Sequence, residues 1–239
     1  MPGVDRFDGV EGLEGVGSGF AAARDGIDTM LRDRGLRRTP PELTTESLLR
    51  GAHASAVLAG SASSLDDLRE GRGDAPAQAA LRVSVELLGL SGVFVRTPLQ
   101  ALARIHALAA AGTVHEDRIG RPRDPESADR LQGIAALVGS GRSALMTAAL
   151  VHAELATATP FGSADGLVAR ATERLVLVSS GVDPTSLVVP EAGHLALRAA
   201  YESNLRAYAA GGRRGLQAWL VYCAEAYASA AEASPLRDR

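Results

Sequence analysis

The segment TATPFGSADGLVAR, residues 157–170, has the residue types and spacing of an anion-binding loop. A glycine-containing stretch comes first, and an apolar helical pattern follows directly, from Gly166 to Ser179. Backbone N–H groups at the start of a helix point toward the preceding loop and attract anions, and Arg170 stands one turn into this helix. The spacing therefore predicts a site for an anion at the start of a buried central helix.

The other potentially reactive side chains form no recognisable catalytic or metal-binding motif. His152 lies inside a helical pattern and is predicted to be a packed core residue. Three further histidines lie in helical patterns, namely His53, His106 and His194. The spacing of the carboxylates around them matches no zinc motif. The lone Cys223 can form neither an internal disulfide nor a cysteine-based zinc site. We therefore expect no metal site and no Ser–His–Asp triad.

The composition excludes several classes of protein. A formal net charge of −3 argues against a nucleic-acid binder with a broad basic surface, and an aromatic content of 4% argues against stacking on single strands. All 25 basic residues are arginine, which excludes a Walker A lysine and a Schiff-base lysine. No apolar run approaches the ~20 residues of a membrane span, and the N-terminus does not resemble a signal peptide. We expect no nucleic-acid partner, no membrane association and a cytoplasmic location.

Helical periodicity dominates the chain and predicts an all-α fold. We expect helices at about 18–34, 44–58, 76–90, 98–111, 125–138, 142–157, 166–179, 191–209 and 215–230. Between them, 36–43 is a proline-marked connector, 66–73 is turn-like, and 112–123 is a small hairpin or a loop. Residues 1–40 are expected to form a helical extension, and 41–239 one compact domain. Residues at helical spacing near the C-terminus form a core or a dimer face: Tyr201, Leu205, Tyr208, Leu216, Trp219, Leu220 and Cys223.

The order of these segments resembles the core of the Fic-domain family, in which a helix ends, a loop reading HPFxxGNGRxxR follows, and a central helix begins. The corresponding loop here reads TPFGSADGLVAR, residues 159–170. Upstream, IGRPR (119–123) is similar to the G-x-x-R of the family's flap, and LMTAALVHAEL (145–155) to the helix before the loop. HASAVLAGSASSLDDL (53–68) resembles the family's inhibitory helix, S-x-x-x-E-G. The resemblance covers residues 43–222 and implies a Fic-like helical domain with a flap.

The resemblance also implies a chemistry for the loop. Active members of the family transfer a nucleotide, usually AMP, from ATP to a protein hydroxyl. The motif's histidine takes the proton of the attacking hydroxyl, and an acidic residue two positions after the phenylalanine holds Mg²⁺. The Gly-Asn-Gly turn and two arginines hold the phosphates. Of this set the chain retains only Pro160, Phe161, Gly166 and Arg170.

The chemically active positions of the motif are changed. Thr159 replaces the histidine and is no base near neutral pH, and Ser163 replaces the metal ligand. Asp165 replaces the asparagine and adds a negative charge where phosphate would lie, and Leu167 replaces the first arginine. The resemblance therefore gives no catalytic residue, only an anion-binding loop of Pro160, Phe161, Gly162, Ser163, Ala164, Asp165, Gly166 and Arg170.

The inhibitory-helix segment is changed as well. Ser55 and Gly60 match the family pattern, whereas Ala59 replaces the glutamate that pairs, in the family, with the arginine matching Arg170. His115 is the histidine nearest the flap. It could replace the missing base only if the flap folds over the loop.

Two residues of the loop have both a structural and a functional interpretation. Asp165 directly precedes the central helix, which favours an N-cap that occupies the loop amides over a new metal ligand. Arg170 is either the remaining charge for an anionic ligand or a buried arginine paired with Glu173 at i+3, and we favour the pair.

The sequence thus indicates a pseudoenzyme with a degenerate active site. It is expected to have lost AMP transfer, to need no cofactor, and to act as a non-catalytic binding or regulatory module with a protein partner, with a homodimer left open. The alternative is a divergent Fic-type nucleotidyl or phosphoryl transferase that uses Mg-ATP with another base, or another donor. A helical ligand-sensing regulator is a third class, disfavoured because no basic recognition helix with a glycine-containing turn lies near the N-terminus.

Overall fold

The fold consists of helices and connecting loops. The computed structural model describes residues 7–32 and 40–238, and these residues form no strand. The α-helices in chain order are α1 (Val16–Arg32), α2 (Pro41–Leu58), α3 (Leu65–Arg69), α4 (Ala75–Leu87), α5 (Ser91–Arg96), α6 (Pro98–Ala110), α7 (Pro125–Val138), α8 (Ala144–Ala158), α9 (Asp165–Ser179), α10 (Pro190–Ala196), α11 (Arg198–Ala209) and α12 (Gly212–Glu232). The prediction of an all-α fold is confirmed.

Two central helices, α8 and α9, form the middle of the core. α8 is buried without interruption from Leu145 to Leu155, and α9 from Leu167 to Leu177. A helix that is buried around its whole circumference has to be covered by other elements. Accordingly, α9 contacts α2, α4, α5, α6 and α10, while α8 contacts α1, α7, α11 and α12. The loop that joins these two helices is therefore anchored at both ends by the core.

Local sequence signals set the ends of several helices. Asp124 caps α7 by accepting a hydrogen bond from the N–H of Ser127 at 2.8 Å, and Pro125 occupies the first turn. Ser143 caps α8 in the same way through the N–H of Met146. These signals explain why α7 has the bounds that the sequence predicts.

The structure differs from the sequence prediction in several segments. The helix expected over 191–209 is two helices, because Gly193 packs α10 so closely on α12 that a Cβ there would collide with the carbonyl oxygen of Ala226. The chain turns at Leu197 before α11 begins. The turn-like segment 66–73 includes most of α3, and α5 was not expected. The end of the first helix and the first half of the connector fall on residues 33–39, outside the described residues, and the last three residues of the connector belong to α2.

The flap segment, residues 112–123, is a loop with one 3-10 turn at Glu116–Arg118 and not a hairpin. Its backbone amides at Gly120 and Arg123 donate to a side chain of α6 and to the loop before α9. Because these amides bond outward, they are not available to pair within the segment.

The helix α1, which lies within the expected N-terminal extension, packs on α12. Its buried side chains recur at helical spacing: Val16, Phe20, Ala23, Ile27 and Met30. The division of the chain at residue 40 stays a prediction.

One helical stretch, Ala75–Arg96, is long and apolar enough to cross a membrane by length and composition alone. The sequence analysis expected no such run. The stretch contains Val83, Leu87 and Phe94, which are buried in the core. A core helix passes the same test, so length and composition do not assign this stretch to a membrane.

Candidate functional site

The loop between α8 and α9, residues 159–164, has an unusual backbone. Thr159 at the end of α8 has φ 44°, and Ala164 before α9 has φ 54°, so both lie in the left-handed region. That conformation costs a non-glycine residue roughly 1–2 kcal/mol. Gly162, with φ 74°, adopts it more readily. The turn directs the amides that follow Pro160 toward the first residue of α9.

The side chain of Asp165 occupies the inside of this loop. Asp165 is 6% exposed, and its Oδ1 accepts a hydrogen bond from the N–H of Phe161 at 2.9 Å. Burial raises the pKa of Asp165, while backbone hydrogen bonds from Phe161, Gly162 and Ser163 act in the opposite direction. The carboxylate therefore lies on the amides that would otherwise bind an external anion.

Asp165 is not the N-cap that the sequence predicted. α9 begins at Asp165 itself, and the N-cap position is Ala164, which makes no side-chain capping bond. The carboxylate turns back to the loop because the tight turn leaves the amide of Phe161 within its reach. The amide that the carboxylate accepts from belongs to the loop and not to the helix, and the role of a built-in anion stays a prediction.

The flap covers one side of the loop through Arg123. Its backbone N–H donates to the carbonyl oxygen of Pro160 at 2.9 Å, and its Nη1 donates to Oγ1 of Thr159 at 3.2 Å. The methylene groups of Arg123 also lie against Gly162. Thr159, the residue that the resemblance aligns with the family's base, is therefore a hydrogen-bond acceptor for the flap.

His106 of α6 also belongs to this site, although no motif in the sequence places it there. It is fully buried, and its ring stacks on Phe161 with centroids 4.3 Å apart. Nδ1 accepts a hydrogen bond from the N–H of Gly120 at 2.9 Å, so the neutral ring carries its proton on Nε2. Nε2 lies 3.1 Å from Oγ of Ser163 and donates to it. Burial lowers the pKa of His106, and a hydrogen bond to the backbone of Ser163 opposes this.

This tautomer matters for the chemistry of the loop. Because the Nδ1 lone pair is used by the flap and Nε2 is protonated, His106 cannot take a proton from Ser163. His115 is no substitute, because its side chain is 82% exposed and bonds to Asp117 at 2.8 Å. The hypothesis that His115 replaces the missing base receives no support from this geometry.

Arg170 is buried and fully engaged, and it is not paired with Glu173 as the sequence suggested. Its Nε donates to Oγ of Ser55 at 2.8 Å and its Nη2 to the Ser55 carbonyl oxygen at 3.0 Å. Its Nη1 lies 3.3 Å from the hydroxyl of Tyr201. The residue in the inhibitory-helix segment that holds Arg170 is therefore Ser55, whereas Ala59 only ends α2. Long-range partners replace the i+3 pair.

Glu173, one turn further along α9, is the centre of a buried hydrogen-bond network. Its Oε2 bonds to His152 Nδ1 at 2.7 Å and to His194 Nε2 at 2.9 Å, and its Oε1 accepts from the Tyr227 hydroxyl at 2.8 Å. The remaining ring nitrogens bond to the hydroxyls of Tyr201 and Tyr222. Burial alone would raise the pKa of Glu173, but His194 and His152 lower it below its ordinary value. The prediction that His152 is a packed core residue is correct.

The same three side chains, His152, Glu173 and His194, offer ligand atoms within 4.8 Å of one another. A metal ion would displace both ring N–H groups from Glu173 and move the ring protons to the nitrogens that face Tyr201 and Tyr222. In neutral rings whose N–H groups face Glu173, those hydroxyls donate to the other ring nitrogens, so they would lose their acceptors in the core. The cluster is therefore best described as a hydrogen-bonded part of the core. It also links Arg170, through Tyr201 and His152, to the buried carboxylate of Glu173.

The space beside Arg170 is almost filled. A cavity of about 10 Å³ lies between α2, α4 and α9 and is lined in part by Ser55 and Leu167. That volume holds roughly one water molecule, whereas small-molecule sites usually need about 300 Å³ or more. A larger cavity of about 480 Å³ lies elsewhere, near Arg130, Glu154 and Tyr208.

Comparison with known proteins identifies the fold. No family model and no curated protein matches the chain. Among solved structures, the chain is similar to a Fic family protein from Desulfovibrio desulfuricans G20, with a TM-score of 0.72 and 15% sequence identity. The match covers 90% of this chain and 73% of that one. The chain therefore has a Fic-like fold, as the resemblance of its segments implied.

Proposed function

We propose that this Fic-like domain does not transfer AMP and acts as a non-catalytic binding or regulatory module. The observation that carries the proposal is the Asp165 carboxylate on the loop amides, where a phosphate would bind. A phosphate would have to displace this carboxylate or share a poorly solvated site with it, and like charges at such distances repel strongly. The partner is expected to be a protein, because a net charge of −3 disfavours nucleic acid.

The remaining groups that nucleotide transfer would require are absent from the loop or engaged elsewhere. Thr159 cannot act as a base and is bonded to Arg123. Arg170 makes its hydrogen bonds to Ser55 and Tyr201, so it would have to give them up to contact a phosphate. Leu167 is buried and apolar where the family has an arginine.

The alternative is a divergent Fic-type transferase with another base or donor. The side chain that would favour it is His106, which lies beside Ser163 in the loop. His106 donates to Ser163, however, and its other nitrogen is occupied by Gly120. We therefore prefer the non-catalytic function.

Labelled ATP distinguishes these two functions. With Mg²⁺ and ATP labelled on the α-phosphate, the wild-type protein should neither label itself nor retain ATP at concentrations below about 1 mM. The matched control is His106→Asn, which removes the only imidazole in contact with the loop among the described residues. Labelling of the wild type that disappears in this variant would replace our proposal by the alternative.

A rebuilt loop tests whether the site retains nucleotide-binding geometry. The changes Thr159→His, Ser163→Glu, Asp165→Asn and Leu167→Arg restore the family's base, metal ligand and phosphate contacts, and Ala164→Gly relieves the left-handed backbone. We expect the rebuilt protein to gain Mg-ATP binding before transfer, because transfer also needs near-attack geometry. Asp165→Asn alone is the control for the charge. A rebuilt protein that is folded and still ignores ATP would contradict a Fic-type loop geometry.

A further inference from the structure

His106 joins the flap to the loop before α9. Its Nδ1 accepts from the Gly120 amide of the flap, and its Nε2 donates to Ser163 of the loop. The ring also stacks on Phe161, so its position is fixed on three sides. Among the described residues, no other side chain accepts a hydrogen bond from the flap amide at Gly120.

The flap backbone is shaped for this contact. Gly120 has φ 70°, and a Cβ at this position would lie 3.1 Å from the carbonyl oxygen of Ala103. A glycine is therefore needed for the amide to approach α6 and reach the imidazole. The Arg123 amide adds a second link, to Pro160, which contains no titratable group.

We propose that His106 is an acid-sensitive latch that holds the flap on the loop while the imidazole is neutral and releases it when the ring is protonated. An imidazolium has an N–H on both nitrogens and accepts no hydrogen bond. After protonation, Nδ1–H would face the N–H of Gly120, so this contact becomes repulsive. Among the described residues, the hydrogen bonds that then still join the flap to the loop are those of Arg123.

The surroundings of the ring favour its neutral form. Burial is the main influence on the pKa of His106 and lowers it below the ordinary value of 6.5, and a hydrogen bond to the backbone of Ser163 opposes this. The elements packed around the ring carry the following titratable and charged groups: Arg104 of α6 itself, Arg82 and Glu86 of α4, Arg96 of α5, His115, Glu116, Asp117, Arg118, Arg121 and Arg123 of the flap, Glu126, Asp129 and Arg130 of α7, and Asp165, Arg170, Glu173 and Arg174 of α9. Arg104 and Glu86 pair with each other, and Arg170 is bonded to Ser55. The latch should therefore open on acidification below the ordinary imidazole pKa.

Hydrogen–deuterium exchange of the flap peptide, residues 112–123, tests the latch without any nucleotide. Two variants separate the two hydrogen bonds of the ring, the one from Gly120 and the one to Ser163. In His106→Asn, the amide oxygen can replace Nδ1 as the acceptor for Gly120 but does not titrate. In His106→Gln, the longer amide can still reach Ser163 but leaves Gly120 without an acceptor. Intrinsic exchange is the same for all three proteins at a given pH, so ratios between them report the flap alone.

At about pH 7.5, the wild type and His106→Asn should protect the flap equally, and His106→Gln should exchange at least about tenfold faster. At about pH 5, the wild type should approach His106→Gln, while His106→Asn stays protected. The His106 ring resonance in the wild type should titrate at the same midpoint as the loss of protection. A wild type that stays protected through the titration of His106, or a His106→Asn protein that loses protection in parallel, would overturn the latch. This result is independent of ATP binding, so it can fail while the proposed function stands.

Discussion

Replacing Glu173 by alanine tests the buried network, because it removes the acceptor of three donors at once. The ring N–H groups of His152 and His194 would lose their partner in the core. The hydroxyl of Tyr227 has a second acceptor within reach, the carbonyl oxygen of Leu145 at 3.3 Å. The change also removes the buried carboxylate that is linked to Arg170 through Tyr201 and His152.

The expected loss follows from these groups. Each buried donor left without a partner costs about 1–3 kcal/mol, which gives about 2–6 kcal/mol for the two ring N–H groups. We therefore expect Glu173→Ala to lower the free energy of unfolding by about 2–6 kcal/mol, a large part of the 5–15 kcal/mol of a typical domain. Glu173→Gln keeps an acceptor oxygen for one or both rings and should cost about 1–3 kcal/mol.

Urea unfolding followed by circular dichroism measures both losses, with Glu173→Gln as the size-matched control. A chelator is added to one series of wild-type samples, and it should leave the unfolding midpoint unchanged if the cluster holds no metal. An alanine variant within about 1 kcal/mol of the wild type would refute the network as a source of stability. A chelator that destabilises the wild type would refute the hydrogen-bond assignment and favour a metal site.

Three further predictions concern the loop and the pH dependence of stability. Asp165→Ala should lower the free energy of unfolding by about 1–2 kcal/mol because the amide of Phe161 loses its acceptor, whereas Asp165→Asn should cost less than half as much. Equal losses of stability in urea melts of the two variants would contradict the role of Asp165 as an acceptor. Ala164→Gly should raise the thermal midpoint, with a gain of about 0.5–1 kcal/mol, because relief of about 1–2 kcal/mol of left-handed strain at φ 54° outweighs the entropic cost of glycine; a lower midpoint would mean that the backbone is not strained. Burial lowers the pKa of His152 below 6.5 in the folded state, so the stability that its neutral ring contributes is complete above that pH and declines as the pH falls below it. Urea melts of the wild type and His152→Gln should therefore converge on acidification. A constant difference between the two proteins would contradict a buried neutral ring at His152.

The parts of the fold that the sequence predicts are those set by local signals. α7 matches the prediction because proline and Asp124 fix its start, and the loop before α9 lies where glycines interrupt two apolar helical patterns. The break at Leu197 could not be predicted in this way. It arises from the approach of Gly193 to α12, a contact between distant segments.

The candidate site shows the same division. Its position follows from the motif, but the partners of its charges do not. Spacing along α9 favoured pairing of Arg170 with Glu173, whereas the structure gives Arg170 a partner 115 residues away, Ser55. His106 likewise reaches Ser163 from 57 residues away. No local pattern distinguishes such a histidine from one that only packs.

The central claim is that Asp165 occupies the anion site of a Fic-like loop, and calorimetric titration of the wild-type protein with Mg-ATP tests it most directly. Asp165→Asn is titrated in parallel, since it keeps the acceptor for Phe161 and removes the charge. We predict that the wild type shows no binding tighter than about 1 mM, with weak binding first becoming measurable in Asp165→Asn. Micromolar binding by the wild type, unchanged in Asp165→Asn, would contradict the claim.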